Sequence, residues 1–357
     1  MADPRANNFD CMRFVAAALV VLGHSYWLSG RAHSEPLRAF TGHSDMADVA
    51  VNVFFVMSGY LIHASWRHSA GPLAFIGKRA LRIFPALAVS VLFTVLVIGP
   101  LTTELPLAEY LSAPQTRAYL GNIALLTHFQ LPGVFVHNPF PDTVNGSLWT
   151  LPYEAFMYLS LLALGMTGLL RRLSTVVPLV LLVVYFWLIP TLELQSLILA
   201  KGCRLGLFFY AGALLYQYRR RLPWSWKVAV PLLGLALATA DTPGWFLVHV
   251  LTLPYLVIYL ARLKVPRLSG FARYGDFSYG LYIFSFPLQQ ALMHGLGPQL
   301  PLPAFMFLGL AGSLVLAVLS WHLVEAPALA LKRYLPRPSR HEAGLGGGPV
   351  RAQSDFG

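Results

Sequence analysis

Arg13 and His24 stand eleven positions apart in FDCMRFVAAALVVLGHSYWL, a stretch whose other side chains are mostly apolar. A guanidinium grips phosphate through paired, charge-assisted hydrogen bonds. An imidazole moves protons, or attacks an acyl carbon, near neutral pH. On a helix the two residues are separated by roughly 16 Å at about 1.5 Å per residue. Arg13 then belongs near the inner face of a membrane and His24 deep toward the outer one. A second basic pair, Arg79 and Arg82 in KRALRIFP, is spaced three apart on one helical face, an arrangement that can hold phosphates. Glu154, in GSLWTLPYEAFMYL, begins a later apolar segment at a depth comparable with His24. A carboxylate beside a histidine orients it and stabilises its charged form. The pattern is a basic inner mouth with an acid-base pair farther out.

Each of these residues also has a structural reading. Arg79 and Arg82 suit ordinary positively charged loops at a membrane face. His24 can cap the outer end of its helix, and Glu154 can be an acidic residue favoured at a helix start by the dipole. In FFVMSGYLI, the small residues Ser58 and Gly59 suit close packing of helices, and that is the better reading there.

The elements that must position these groups are membrane helices. Of 357 residues, 56% are hydrophobic and only 11% charged, and the mean hydropathy is +0.60. Soluble domains carry about 25% charged residues. Recurrent apolar segments, about ten of them at roughly 20 residues each, fall near Phe9–Leu28, Ala47–Trp66, Phe84–Leu101, Tyr153–Leu170, Val176–Leu194, Leu197–Tyr218, Trp226–Ala240, Trp245–Leu260, Phe277–His294 and Phe305–Leu323. The expected fold is all-α, a polytopic transmembrane helix bundle. With the amino terminus inside, 26 Lys and Arg divide unevenly: only Arg31, Arg38, Arg117, Lys201 and Arg204 fall on the outer side. This bias places both termini in the cytoplasm. It also accounts for the net charge of +11 through topology and anionic membrane lipid, without nucleic acid.

No cleavable signal peptide is expected, because Ala16–Ala18 lie inside the first apolar run. Cys11 and Cys203 make no disulfide framework, and the eleven histidines show no metal-binding spacing, so no metal is expected. Residues 1–335 are read as one transmembrane domain and 336–357, with its GLGGG run, as a flexible cytoplasmic tail. The long interval Thr102–Pro152 is dense in Pro, Gly and Asn, but its aromatic residues favour a packed, partly re-entrant outer cap.

Taken together, FDCMRFVAAALVVLGH, VNVFFVMSGYLI, KRALRIFPAL, GSLWTLPYEAFMYL, GDFSYGLYIFSFP and SWHLVEAPAL resemble, in order, the motifs of the acyltransferase 3 family. These are bacterial membrane O-acyltransferases that modify surface polysaccharides. The resemblance runs from about Asn8 to Lys332. It departs from the family in the ninth segment, where many members carry a histidine before the proline and this chain has Ser285 and Phe286. A second catalytic histidine is therefore not expected there.

The resemblance implies transfer of an acyl group, usually acetyl, from cytoplasmic acyl-CoA to a hydroxyl of a cell-surface glycan or its lipid-linked precursor, in the bacterial inner membrane. Acetyl-CoA would be the donor substrate, with its phosphates among Arg13, Arg79 and Arg82. His24 would be general base or nucleophile, with Glu154 orienting it. Asn52, Ser58 and Trp149 would line the substrate site. Two other classes remain open from sequence: a secondary transporter or lipid-glycan flippase, which would share the span count and buried polar residues, and a non-catalytic membrane partner. Against the first, no internal repeat is visible. The second would not need His24, Glu154 and the arginines together.

The charge bias makes a direct prediction. Reporter tags at either terminus should register the cytoplasm, and one inserted near Pro132 the outer side. A Pro132 tag protected like the termini would overturn the orientation.

Overall fold

A computed structural model describes residues 8–191, 197–263, 265, 268 and 270–336. Residues 192–194 of the predicted fifth segment, and all of the predicted tail beyond Pro336, lie outside the described residues. Among the described residues there is no β-strand, only one isolated bridge between Thr103 and Val134. Ten longer helices carry the fold: α1 (Phe9–Leu28), α2 (Met46–Arg67), α3 (Pro72–Thr102), α4 (Leu151–Met166), α5 (170–191), α6 (Leu197–Tyr218), α7 (Trp226–Ala238), α8 (Trp245–Arg262), α9 (Ser278–Leu296) and α10 (Leu302–Tyr334). Helices dominate because hydrocarbon offers backbone N–H and C=O groups no partner, so each segment must satisfy its own.

Six of these, α1, α2, α3, α6, α8 and α10, are long and apolar enough to cross a bilayer. The other four predicted segments are also helical but fall short of that length or hydropathy. In α9 the reason is its buried polar face, with Ser278, Ser285, Gln289 and Gln290 turned into the protein. Large apolar side chains such as Leu96, Phe156, Trp187, Phe307 and Leu323 are exposed along the outside of the bundle, where lipid is the natural solvent. The chain is a multi-pass membrane protein.

α2 runs through the centre, with most of its length buried. It meets α6 at backbone contact: a Cβ on Gly59 would lie 1.8 Å from the Phe209 carbonyl oxygen, and one on Gly212 would lie 2.1 Å from that of Val56. α1 also meets the Met46 end of α2 tightly, though less so, since a Cβ on Gly23 would lie 2.9 Å from the Ala47 nitrogen. Such approaches are how apolar helices gain packing where no hydrophobic drive separates them from lipid. Gly59, expected to serve packing, does so.

The segment after α3 is ordered. Two short helices, Leu107–Ser112 and Pro114–Tyr119, bury Tyr110 and Tyr119, and Phe135 farther along is buried as well. Its later part is stapled to α9. Asn138 Nδ2 donates to Gln290 Oε1 at 2.7 Å, Gln290 Nε2 donates to the carbonyls of Phe140 and Thr143 at 2.8 and 2.7 Å, and Asn145 Nδ2 donates to the Ile283 carbonyl at 2.9 Å. These bonds use up main-chain and amide groups that would otherwise be buried unpaired.

Gly59→Ala should therefore lower the thermal stability of the purified protein by about 1–3 kcal/mol or more, since the new methyl must push two helices apart. Gly234→Ala in α7, with open space around its Cβ, should leave it unchanged. Equal unfolding temperatures for the two variants would refute the close contact.

Candidate active site

A cavity of about 890 Å³, its mouth included, lies between α1, α2, α3, α4 and the start of α9. Arg13, Ser58, Arg79, Arg82, Glu154 and Tyr158 are all on its wall. The structure thus gathers the three predicted basic residues, the predicted carboxylate and one predicted substrate-site serine around one space.

The three arginines are not equivalent. Arg82 donates to Asp276 Oδ2 at 2.5 Å and to Glu325 Oε2 at 3.5 Å, and its guanidinium lies over the rings of Tyr279 and Trp321, 5.7 and 6.0 Å from their centroids. Arg13 faces Asp276 at 3.6 Å and Asp10 at 3.7 Å. Arg79 faces no carboxylate within ion-pair distance among the described residues. Its one hydrogen bond among the described residues is a long one to Ser65 Oγ at 3.4 Å, and its Nε is buried with no partner there. Two of the three guanidiniums therefore have ion-pair partners, while Arg79 has, of acidic groups, only Glu154 and Tyr158 within electrostatic range among the described residues.

Local sequence explains how the answering carboxylates arrive. Gly275, at φ +140°, makes a turn that a Cβ would block against Trp321, and Asp276 follows it. Burial would raise the Asp276 carboxyl, but Arg82, Arg13 and two bonds from Ser278 outweigh it and hold the group below the ordinary carboxylate range. Glu325 closes a π-helical stretch, Trp321–Glu325, within α10, and is 2% exposed. Such local over-wide turns re-aim side chains and recur at functional sites.

Glu154 has partners other than His24. It accepts from the Tyr158 hydroxyl one turn along α4, and from Ser58 Oγ at 3.4 Å; Ser58 and Tyr158 are themselves 3.0 Å apart. Among the described residues no hydrogen bond joins His24 to Glu154. His24 lies off the cavity wall, half-buried beside the α1–α2 contact at Gly23 and Ala47. Its ring meets Phe286 edge-on at 5.0 Å, and its Nδ1 is buried without a partner. The turn that carries it is gripped from α9, where Gln289 Nε2 donates to Ser25 Oγ at 2.7 Å and to the Val21 carbonyl at 3.0 Å. Asn52 lines a different cavity. Trp149 lines neither: its ring packs against Tyr153 and sits under Lys201 Nζ at 4.6 Å.

A family model described as an acyltransferase domain matches residues 7–322. The chain belongs to the acyltransferase 3 family. It is 30% identical to an O-acetyl transferase of Shigella phage Sf6 over 94% of this chain and 98% of that protein, and 28% identical to nodulation protein 10 of Rhizobium leguminosarum bv. viciae over 92% and 95%. No solved structure matches. As a member of the acyltransferase 3 family the protein is a membrane acyltransferase, an O-acetyltransferase by its relatives, and the transporter and non-catalytic readings fall away.

Asp276, Glu325, Tyr158 and Gln289 were not singled out by sequence reasoning. The signal for the two carboxylates was available: they stand in GDFSYG and HLVEAP, at the margins of two apolar segments, where an ionisable group needs a partner. No groups of three or more His, Cys, Asp or Glu arranged to hold a metal ion occur among the described residues.

The unequal pairing predicts unequal stability effects. Arg82→Met should leave buried Glu325 without a cation and Asp276 with Arg13 alone, and cost about 3–5 kcal/mol, read as a drop in thermal unfolding temperature. Arg79→Met should cost little. The reverse ranking would mean that the charge pairing described here does not hold.

Proposed function

We propose that the protein transfers an acetyl group from cytoplasmic acetyl-CoA to a hydroxyl of a cell-surface glycan or its lipid-linked precursor, within the bacterial inner membrane. The observation that carries this reading is Arg79, an under-paired guanidinium on the wall of a cavity whose other two arginines are answered by carboxylates. An anion is what such a group lacks, and a CoA phosphate supplies one with the geometry a guanidinium fits. Arg13 contributes field at the same mouth, and Arg82 holds the wall in place through Asp276 and Glu325.

From that mouth the cavity extends along α2 as far as Val51. Ala47, which touches the helix turn carrying His24, is one turn farther, roughly 6 Å. A pantetheine arm lying in the cavity brings its thioester toward His24. Ser58, Tyr158 and Glu154 form a hydrogen-bonded group along the way, suited to the amides of that arm, and this is the role proposed for Glu154 in place of a direct contact with the imidazole. Trp149 is kept as an outer residue near the acceptor's route.

The chemical step is acyl exchange between sulfur and oxygen. His24 takes the proton of the acceptor hydroxyl as its oxygen attacks the thioester carbonyl. The tetrahedral adduct collapses with cleavage of the C–S bond, and the CoA thiolate takes the proton back from the imidazolium. Neither a metal nor a redox partner enters this balance.

Two variants test the reading together. His24→Ala should lower transfer by about 10²–10⁴-fold while acetyl-CoA still binds, because the phosphates are held elsewhere. Arg79→Lys keeps the positive charge but loses the planar fork, and should weaken acetyl-CoA binding measured by calorimetry. Full transfer by folded His24→Ala protein sinks the general-base role, and parental acetyl-CoA affinity in Arg79→Lys sinks the phosphate site.

A further inference from the structure

A second cavity, of about 570 Å³ with its mouth, opens at the Met46 end of α2, between α2, α5, α6 and the start of α8. It shares no lining residue with the arginine cavity. Its walls mix aromatic rings with hydrogen-bonding groups: Tyr185, Trp245 and Phe246 beside Asn52, Arg204 and Thr242. It lies at the end of α2 that meets the helix turn of His24, because Asp48 of that end both pairs with Arg204 at 2.8 Å and stands within electrostatic range of His24.

Two residues of this wall each hold a buried polar atom with no partner among the described residues. One is Arg204 Nε, a donor. Its NH2 group is spent on Asp48 Oδ1 at 2.8 Å, so the charge is answered and the free N–H remains. The other is Asn52 Oδ1, an acceptor. The Asn52 side chain is 1% exposed, and its amide nitrogen is 3.4 Å from His249 Nε2. His249 is in turn stacked flat on Trp245, with ring centroids 4.4 Å apart and an interplanar angle of 16°. Leaving such atoms unpaired costs about 1–3 kcal/mol each, a cost that a ligand bonded to both would remove.

The pair defines the ligand. A carboxylate or phosphate accepts from Arg204 but has no proton for the Asn52 oxygen. An ammonium donates to Asn52 but cannot accept from Arg204. A hydroxyl does both, and neighbouring hydroxyls on a ring do so with a carbon-bound face left over for the aromatic walls. Because Asp48 neutralises Arg204, the site offers no net charge to an acidic sugar.

We propose that this second cavity is the acceptor subsite and takes the ring of a neutral sugar, its hydroxyls bonded by Arg204 Nε and Asn52 Oδ1. The name "acceptor" rests on the proposed role of His24; the binding of a neutral sugar here does not.

Full-length protein in lipid nanodiscs would be examined by saturation-transfer NMR with methyl α-D-glucopyranoside, methyl α-D-mannopyranoside and methyl α-D-galactopyranoside, and with methyl α-D-glucuronopyranoside as the anionic counterpart. At least one neutral glycoside should receive saturation, more strongly than the glucuronide. Arg204→Lys, which keeps a cation for Asp48 but has no Nε–H, and Asn52→Leu should each weaken its binding about fivefold, the loss of one hydrogen bond. Acetyl-CoA binding should persist in both variants by calorimetry. If Asn52→Leu does not fold, Arg204→Lys decides alone. The proposal is overturned if no neutral glycoside binds the parent, if the glucuronide binds better, or if folded variants bind as the parent does. A parent that binds glycoside but not acetyl-CoA would instead remove the donor reading and leave this one standing.

Discussion

A guanidinium held inside a membrane protein must find its counter-charge there, and Arg82 finds two. The bonds from α3 to Asp276, just ahead of α9, and to Glu325 in α10 tie together three parts of the chain that are far apart in sequence. They also fix the face of α3 on which Arg79 stands, one turn away. Asp276 and Glu325 thus serve Arg82 and not Arg79. Buried pairs of this kind add little net stability against an apolar replacement but are strongly destabilising to break, which is the behaviour expected of a part that sets geometry.

A comparable division of labour surrounds His24. Its own contacts are sparse, an aromatic edge and no hydrogen bond to Nδ1. Its position is set by neighbours instead: Gly23 lies against Ala47 on one side, and Gln289 grips Val21 and Ser25 across the helix. An imidazole held by the packing of its helix keeps its own ring nitrogens unspent. The Phe286 ring stands beside it in a region where many family members carry a histidine, so the imidazole of this chain faces an aromatic ring at that point.

Much of this was legible in the sequence because it follows from helical period and from the cost of charge in hydrocarbon. The Arg13 to His24 spacing, the Arg79 and Arg82 face and the tight Gly59 position are properties of single helices. What was not legible is pairing between helices. Arg79 and Arg82 read alike in KRALRIFP, and only partners 194 and 243 positions from Arg82 separate them. Glu154 was placed by depth next to His24, and depth was the wrong coordinate: rotation of α4 turns it toward Ser58 and Tyr158. Hydropathy fixes how far along the membrane normal a residue lies and says nothing of its direction about the helix axis. Asn52, adjacent in sequence to Val51, faces a different cavity for the same reason.

Those two neighbours on α2 have an electrical consequence. Val51 lines one cavity and Asn52 the other, and the two spaces meet no common wall residue. α2 also carries Val56 and Met57, buried and apolar, which line neither cavity. A continuous wet passage here would short-circuit the voltage that an energised membrane maintains, at about 2.3 kcal/mol per charge for each 100 mV. Two cavities on one helix that share no wall residue form no such passage among the described residues. The central helix is insulation as well as scaffold.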